Sequence, residues 1–339
     1  MQSINRIASG GILLLFCALA WGFNKADQPQ FTEETPLSDI LVQLGVPLPI
    51  HARPEANEAS IKQGYDLVHF GRTVGPDGKK SKYISKYFNC TSCHNQVQEN
   101  PVLSDFSPEA RLEFAVENNL KFLPASTFYG IANRESWYND DYYKKYGDLV
   151  KPANKSLAEA TQLCAKVCSS GRYLEDWELE AILSYYWSIQ IKLGDLALTA
   201  EEMSKLLNPG QNKEVLEMIQ SKYALRSPAT FGDLPTDYEK GFGLKEGDPL
   251  KGEAVYKLSC MACHQDGGVS DITFDYNRLT FQKFLRQITK SGNYNLYDIV
   301  RHGTYTELGK PRYMPLYPKE RLSDQQIEDL RAYMESAAH

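Results

Sequence analysis

The residues with the most chemistry in this chain stand in two short runs, Cys90-Thr91-Ser92-Cys93-His94 and Cys260-Met261-Ala262-Cys263-His264. Each reads C-x-x-C-H. Two thiols at this spacing can form thioether bonds to the vinyl groups of a porphyrin, and a histidine directly after the second thiol can set its imidazole on the iron. A C-x-x-C pair also serves as a redox dithiol or as half of a zinc site. The dithiol needs a βαβ setting, of which the sequence shows no pattern, and zinc joins C-x-x-C halves roughly 15–20 residues apart, far closer than these two. The expected cofactors are therefore two covalently bound haem c groups. Cys90, Cys93, Cys260 and Cys263 would attach them, and His94 and His264 would ligate the irons.

Each iron needs a second axial ligand or an open position. After the second motif, Arg312-Tyr313-Met314-Pro315 offers the Met314 sulfur before the last helix, where cytochromes c commonly present one. Met261 lies inside the motif and cannot reach the far face, Met334 falls on a packed helix face, and His302 reads as a hydrogen-bonded structural histidine. Between Asn95 and Glu202 there is neither histidine nor methionine. The soft donors left near the first motif are Cys164 and Cys168, four apart on an expected helix. His69 precedes the motif on a helix expected to pack away from the iron. A Cys164–Cys168 disulfide, disfavoured by helical geometry, and a vacant or lysine-bound iron are the other readings.

These groups need helices to position them. Ile61, Gly64, Tyr65 and Val68 recur at helical spacing ahead of a polar loop around Gly75-Pro76-Asp77-Gly78, and a second helix from Asp176 to about Ile191 shows Leu179, Ile182, Leu183 and Tyr186 on one face. The pattern restarts with Gly252, Val255 and Tyr256. It closes with a helix that Ser323 and Gln326 introduce as a capping box and Ile327, Leu330 and Met334 bury. The fold class expected is all-α, with two cytochrome c-type helical domains, each wrapped on a covalently bound haem. The domain reading is a signal peptide or N-terminal anchor at 1–24, an extended proline-rich lead-in at 25–60, domain 1 at 61–192, a linker with short helices at 193–246 and domain 2 at 247–339.

The first segment carries Arg6, an apolar run from Gly10 to Phe23 and the small-residue pattern Ala18-Leu19-Ala20, which is the layout of a secretory leader. Trp21 and Phe23 leave an uncleaved membrane anchor as the alternative. A periplasmic or otherwise exported location also suits haem attachment. The formal charge is −6, and the acidic balance argues against a nucleic-acid partner and for a basic redox partner protein.

The run Cys164-Ala165-Lys166-Val167-Cys168-Ser169-Ser170-Gly171-Arg172, with the closing helix ending in Tyr185-Tyr186-Trp187, resembles the thiosulfate dehydrogenase family of dihaem cytochromes c. Gly64-Tyr65-Asp66-Leu67 and Phe88-Asn89-Cys90-Thr91-Ser92-Cys93-His94 are similar to the same family's approach to its first haem. The likeness covers most of Ile61 to Ile191 and, more generically, Gly247 to the C-terminus. It implies that Cys164 ligates the first iron, that the second haem is His/Met through Met314, and that two thiosulfate ions couple to tetrathionate, or the reverse, at the first haem. The segment between His94 and Cys164 is longer and more aromatic than the family's, and Cys168 stands where a non-cysteine is expected.

A thiolate ligand lowers an iron's potential and a thioether raises it, so electrons arriving at the first haem would run to the second and leave there. An anionic sulfur substrate needs cationic partners, and Arg172 and Arg134 are the candidates. The competing readings are an electron carrier or the cytochrome subunit of a respiratory assembly, and a dihaem peroxidase, which matches length and haem number alone.

Overall fold

The computed structural model describes residues 31–208, 212–288, 290, 294–304 and 314–339. The expected leader, and Arg312 and Tyr313 beside Met314, lie outside the described residues. Phe31–His339 forms one compact unit. Among the described residues it is helical, with isolated bridges and no strand. The α-helices run α1 Leu37–Gln43, α2 Glu58–Phe70, α3 Pro108–Glu117, α4 Tyr143–Tyr146, α5 Val150–Lys155, α6 Leu157–Leu163, α7 Asp176–Ser188, α8 Ala200–Leu207, α9 Asn212–Gln220, α10 Pro249–Val255, α11 Met261–His264, α12 Arg278–Ile288, α13 Leu296–His302 and α14 Asp324–Ala337.

Two crossed helix pairs, α2 with α7 and α10 with α14, carry the architecture. Each crossing turns on a glycine. A Cβ on Gly64 would stand 2.0 Å from the Ala181 carbonyl oxygen, and one on Gly252 would stand 1.9 Å from that of Asp329, so only hydrogen at these positions lets the backbones meet. Side chains also set the helix starts. Asn57 caps α2 by accepting from the Ser60 amide, Asp248 caps α10 ahead of Pro249, and Ser323 and Gln326 form the expected capping box of α14.

Around the first pair, Leu67, Val68, Ile182, Leu183 and Tyr186 pack with Phe128, Leu157 and Leu163 from the chain between the motif and α7. Around the second, Val255, Tyr256, Ile327, Leu330 and Met334 pack with Leu112, Ala115 and Phe122, which come from α3 and the turn after it. The long stretch after His94 therefore serves both halves. The lead-in at 25–60 is not simply extended. Its Leu37, Ile40 and Leu44 lie on α1 and just beyond it, and they bury against Leu193, Leu196, Leu206 and Ile219 in a third core. Proline at 36 is the N-cap of α1, so it starts this helix rather than breaking it.

Candidate functional site

The first motif is fastened before it can bind anything. Asn89 Nδ2 donates to the His69 carbonyl at 2.6 Å at the end of α2, and Asn89 and Ser92 cap each other across the 3₁₀ turn Cys90–Ser92. The second motif follows a π-helical turn, Tyr256–Cys260, and Cys164–Cys168 forms another. Such wide turns occur mainly as single insertions at functional positions.

Each C-x-x-C-H motif lines its own cavity. Both are lined mainly by apolar side chains, among them Leu67, Ile182 and Tyr186 in the first and Val255, Phe284 and Leu330 in the second. The two histidines are set alike. His94 Nδ1 is 2.6 Å from the Ser126 carbonyl oxygen and its ring stacks on Phe128 at 4.1 Å. His264 Nδ1 is 2.8 Å from the Ile272 carbonyl and its ring stacks on Phe274, again at 4.1 Å. A carbonyl acceptor fixes the proton on Nδ1 and leaves Nε2 as the lone-pair donor, the arrangement of a metal-bound imidazole. Burial lowers both histidines and carries His94 down to about 4, so His94 stays neutral at physiological pH.

Cys90, Cys93, Cys260 and Cys263 are not disulfide-bonded, and burial pushes Cys90 and Cys260 up to about 12. Among the described residues no group of three or more His, Cys, Asp or Glu side chains could hold a bare metal ion. Paired thiols, an oriented histidine and an apolar cavity beside them fit an iron carried by a macrocycle.

Met314 lines the second cavity together with His264. Its amide donates to Thr304 Oγ1 at 2.6 Å and its carbonyl accepts from the Thr304 amide at 2.9 Å. The fully buried Arg301 holds the chain that follows, donating to the carbonyls of Tyr317 and Leu322. His302 is exposed, is bonded to Asp298 and does not line the cavity.

Cys164 and Cys168 both line the first cavity, whereas His69 stacks on Tyr65 outside its lining. The two thiols neighbour each other on this turn, and their interaction raises Cys164 and lowers Cys168, which is brought to about 6 with further help from the Tyr146 and Tyr138 hydroxyls, each 3.6 Å from its sulfur. Tyr138, Tyr142 and Tyr146 form a stepped aromatic wall, with ring centroids 4.8 and 6.1 Å apart. The sequence showed these tyrosines only as a run of aromatics. Their recurrence every four residues is the signal that places them on one side.

The two candidate arginines separate. Arg134 lines the first cavity and donates to Ser126 Oγ, Ser227 Oγ and the Thr127 carbonyl, and among the described residues no carboxylate accepts from it. Burial lowers it to about 10. Arg172 lies outside the cavity lining, which corrects its expected place at the site. It makes a bidentate pair with the fully buried Glu178 and donates to the Lys82 and Tyr83 carbonyls, so it braces the loop before the first motif.

Phe88, Cys93, Pro124 and Pro315 belong to the walls of both cavities, and Cys263 Sγ lies 3.9 Å from the Ser92 carbonyl oxygen. The motifs, 170 residues apart in sequence, are neighbours in space.

Residues 247–334 match the family model described as cytochrome C oxidase, cbb3-type, subunit III. No curated protein and no solved structure matches the chain significantly. The matched segment is thus a c-type cytochrome domain, which implies covalently bound haem c and electron transfer.

Proposed function

We propose that this chain is an exported dihaem c-type cytochrome, with redox chemistry on a small sulfur oxyanion at the first site and exchange with a partner protein at the second. The observation that carries the dihaem reading is the repeated geometry: two C-x-x-C-H motifs, each on its own cavity, each histidine tied through Nδ1 to a carbonyl and stacked on a phenylalanine. Haem c at these places would supply one-electron oxidation and reduction.

The chain's own residues do the rest. Cys90 and Cys93, and Cys260 and Cys263, would hold the two groups, and the approach of Cys263 to Ser92 keeps their attachment points adjacent. Phe88, Pro124 and Pro315 form the wall that the two cavities share. Met314 is the sulfur donor in the second cavity, and Cys164 is the donor proposed in the first, with Cys168 on the same cavity wall.

The sulfur reading is supported by two thiols and a guanidinium without a carboxylate partner on one cavity wall. Two thiosulfate dianions joining through one new S–S bond release two electrons and no proton. Arg134, with the Ser126 and Ser227 hydroxyls beside it, can bind and orient such an oxyanion. The second reading, an electron carrier with no substrate of its own, is favoured by the match of residues 247–334 to a cytochrome subunit model.

A haem count on the purified protein, with electron paramagnetic resonance of the oxidised form, tests this function. Two haems per chain and a thiolate-type low-spin signal lost in Cys164→Ala are expected, together with thiosulfate-dependent reduction. One haem per chain would end the dihaem reading. Two haems with no thiosulfate response would leave the carrier.

A further inference from the structure

The first cavity carries one sulfur more than an axial position can use. Cys164 is the donor proposed for the iron, and Cys168 is left over on the same wall, both residues being partly exposed and neither disulfide-bonded. Along an α-helix, residues i and i+4 keep their Cβ atoms roughly 5–6 Å apart, whereas a disulfide needs about 3.5–4.5 Å. Helical spacing disfavours the bond for that reason. The observed turn is different. Cys164–Cys168 is a π turn, closed by the Ser169 amide on the Cys164 carbonyl at 2.9 Å, one residue beyond the α position. A wider turn holds more residues per revolution, so position i+4 falls nearer to straight beneath position i. Each of the two thiols is accordingly the strongest single influence on the other's ionisation.

The wide turn is held from its exit. Ser169 Oγ donates to the Ala165 carbonyl and Ser85 Oγ to the Ser169 carbonyl, both at 2.6 Å, and the Arg172 amide donates to the Ile84 carbonyl at 2.9 Å. A Cβ on Gly171 would stand 2.3 Å from that Ile84 oxygen and 2.6 Å from the Ala165 oxygen, so the chain leaves through a gap that only glycine fits. With the backbone fixed in this way, rotation of two side chains is the motion left to the sulfurs. The other thiols on this wall, Cys90 and Cys93, are consumed once they form thioether bonds. Among the described residues, Cys164 and Cys168 are then each other's only thiol partner in the cavity.

We infer that Cys164 and Cys168 form a reversible disulfide, a two-electron redox centre beside the first haem, and that its closure withdraws Cys164 from the iron. The withdrawal rests on the proposed ligation by Cys164; the bond does not. The oxidant is an external disulfide, of the kind an exported chain meets. By exchange, its S–S bond and the two cysteine S–H bonds break, the Cys164–Cys168 S–S bond forms, and two external thiols leave with the two protons and two electrons. A bond closed across one helical turn sits at the limit of disulfide geometry, and strained bonds are the readily reduced, regulatory kind. The first iron has its thiolate only while the pair is reduced.

The test poises the haem-loaded full chain in glutathione and dithiothreitol couples, alkylates free thiols under denaturing conditions and reads the peptides by mass. Tryptic cleavage after Lys166 parts the two cysteines unless a disulfide joins their peptides. A linked pair about 2 Da below the sum of the two unmodified peptides is expected, with the ratio of linked to free changing tenfold per about 30 mV, the two-electron value. The same samples are desalted, their irons returned to the ferric state with a cobalt(III) complex, and examined by electron paramagnetic resonance. The thiolate-type low-spin signal should be present in the parent with the pair reduced and lost in the linked form. Cys168→Ser, which keeps a hydroxyl for Tyr138 and Tyr146 to bond, should show that signal at every poise.

Thiols that stay alkylatable throughout, a link from Cys168 to glutathione or to a second chain instead of to Cys164, a one-electron slope, or a linked pair with an undiminished iron signal would each overturn the proposal. Failure of the ligation reading looks different. The reduced parent and Cys168→Ser would then both lack the thiolate signal, which overturns the withdrawal, while the mass of the linked peptides still reports the bond.

Discussion

At the scale of single residues, the second motif, inside the segment matched to a cytochrome c domain, was readable because covalent haem attachment demands fixed spacing, and spacing is what a sequence records. Met314 was chosen as a soft donor placed between the motif and the closing helix, and it lines the same cavity as His264. Leucine at this position conserves volume, so Met314→Leu should cost under about 1.5 kcal/mol of stability. It should nonetheless remove the methionine–iron absorption band and lower the potential of one haem only, as read by redox titration. A shift of both potentials would mean that Met314 does not belong to the second site alone. Arg172 was misplaced for a complementary reason. Its nearness to Cys168 in sequence carried no information about Glu178, six residues on, whose fully buried carboxylate claims the guanidinium. Arg134 was found by residue type; the two serines that hold it, one of them 93 positions away, were not visible.

At the scale of elements, the paired helices were legible because periodicity, caps and core faces agree along α2, α7, α10 and α14. α1 and α3 were not, since short helices with few apolar positions leave a weak period and gain their stability from tertiary burial. The two glycine crossings give a prediction against helix propensity. Alanine favours a helix interior by about 0.8–1.0 kcal/mol over glycine. Here the added methyl would sit about 2 Å from a carbonyl oxygen of the facing helix, and the helices must part. Gly64→Ala and Gly252→Ala should each destabilise by roughly 1–3 kcal/mol, the range for overpacking, in denaturant titrations of the haem-loaded protein. A stabilised variant would show that the crossing is looser than the geometry described.

At the scale of the whole molecule, the two halves are joined by a contact that no local pattern announces. Glu99 and Arg321, 222 residues apart, form a buried bidentate ion pair, and Arg321 also donates to the Leu123 carbonyl. Arg111 of α3 donates to the Arg321 carbonyl and stacks on Phe122, so the pair sits inside a packed frame. Removing one partner strands the other charge away from water, and Glu99→Gln or Arg321→Met should cost roughly 3–5 kcal/mol. The pH dependence follows from Glu99. Burial alone would raise its carboxyl, but the charge and hydrogen bonds of Arg321, with Arg111 near, hold it at about 2. A folded-state value below the unfolded one means that the stabilisation is complete above about 4.5, the ordinary value, and is lost as pH falls from there toward 2. The parent's denaturation midpoint should therefore drop steeply across that window. Glu99→Gln, less stable at pH 7, should drop less, so that the two curves converge in acid. Curves that stay parallel would place the acid sensitivity elsewhere. Because the pair bridges both cores, haem-region absorbance at the two sites should also be lost in one transition, and separated transitions would show that the halves unfold independently.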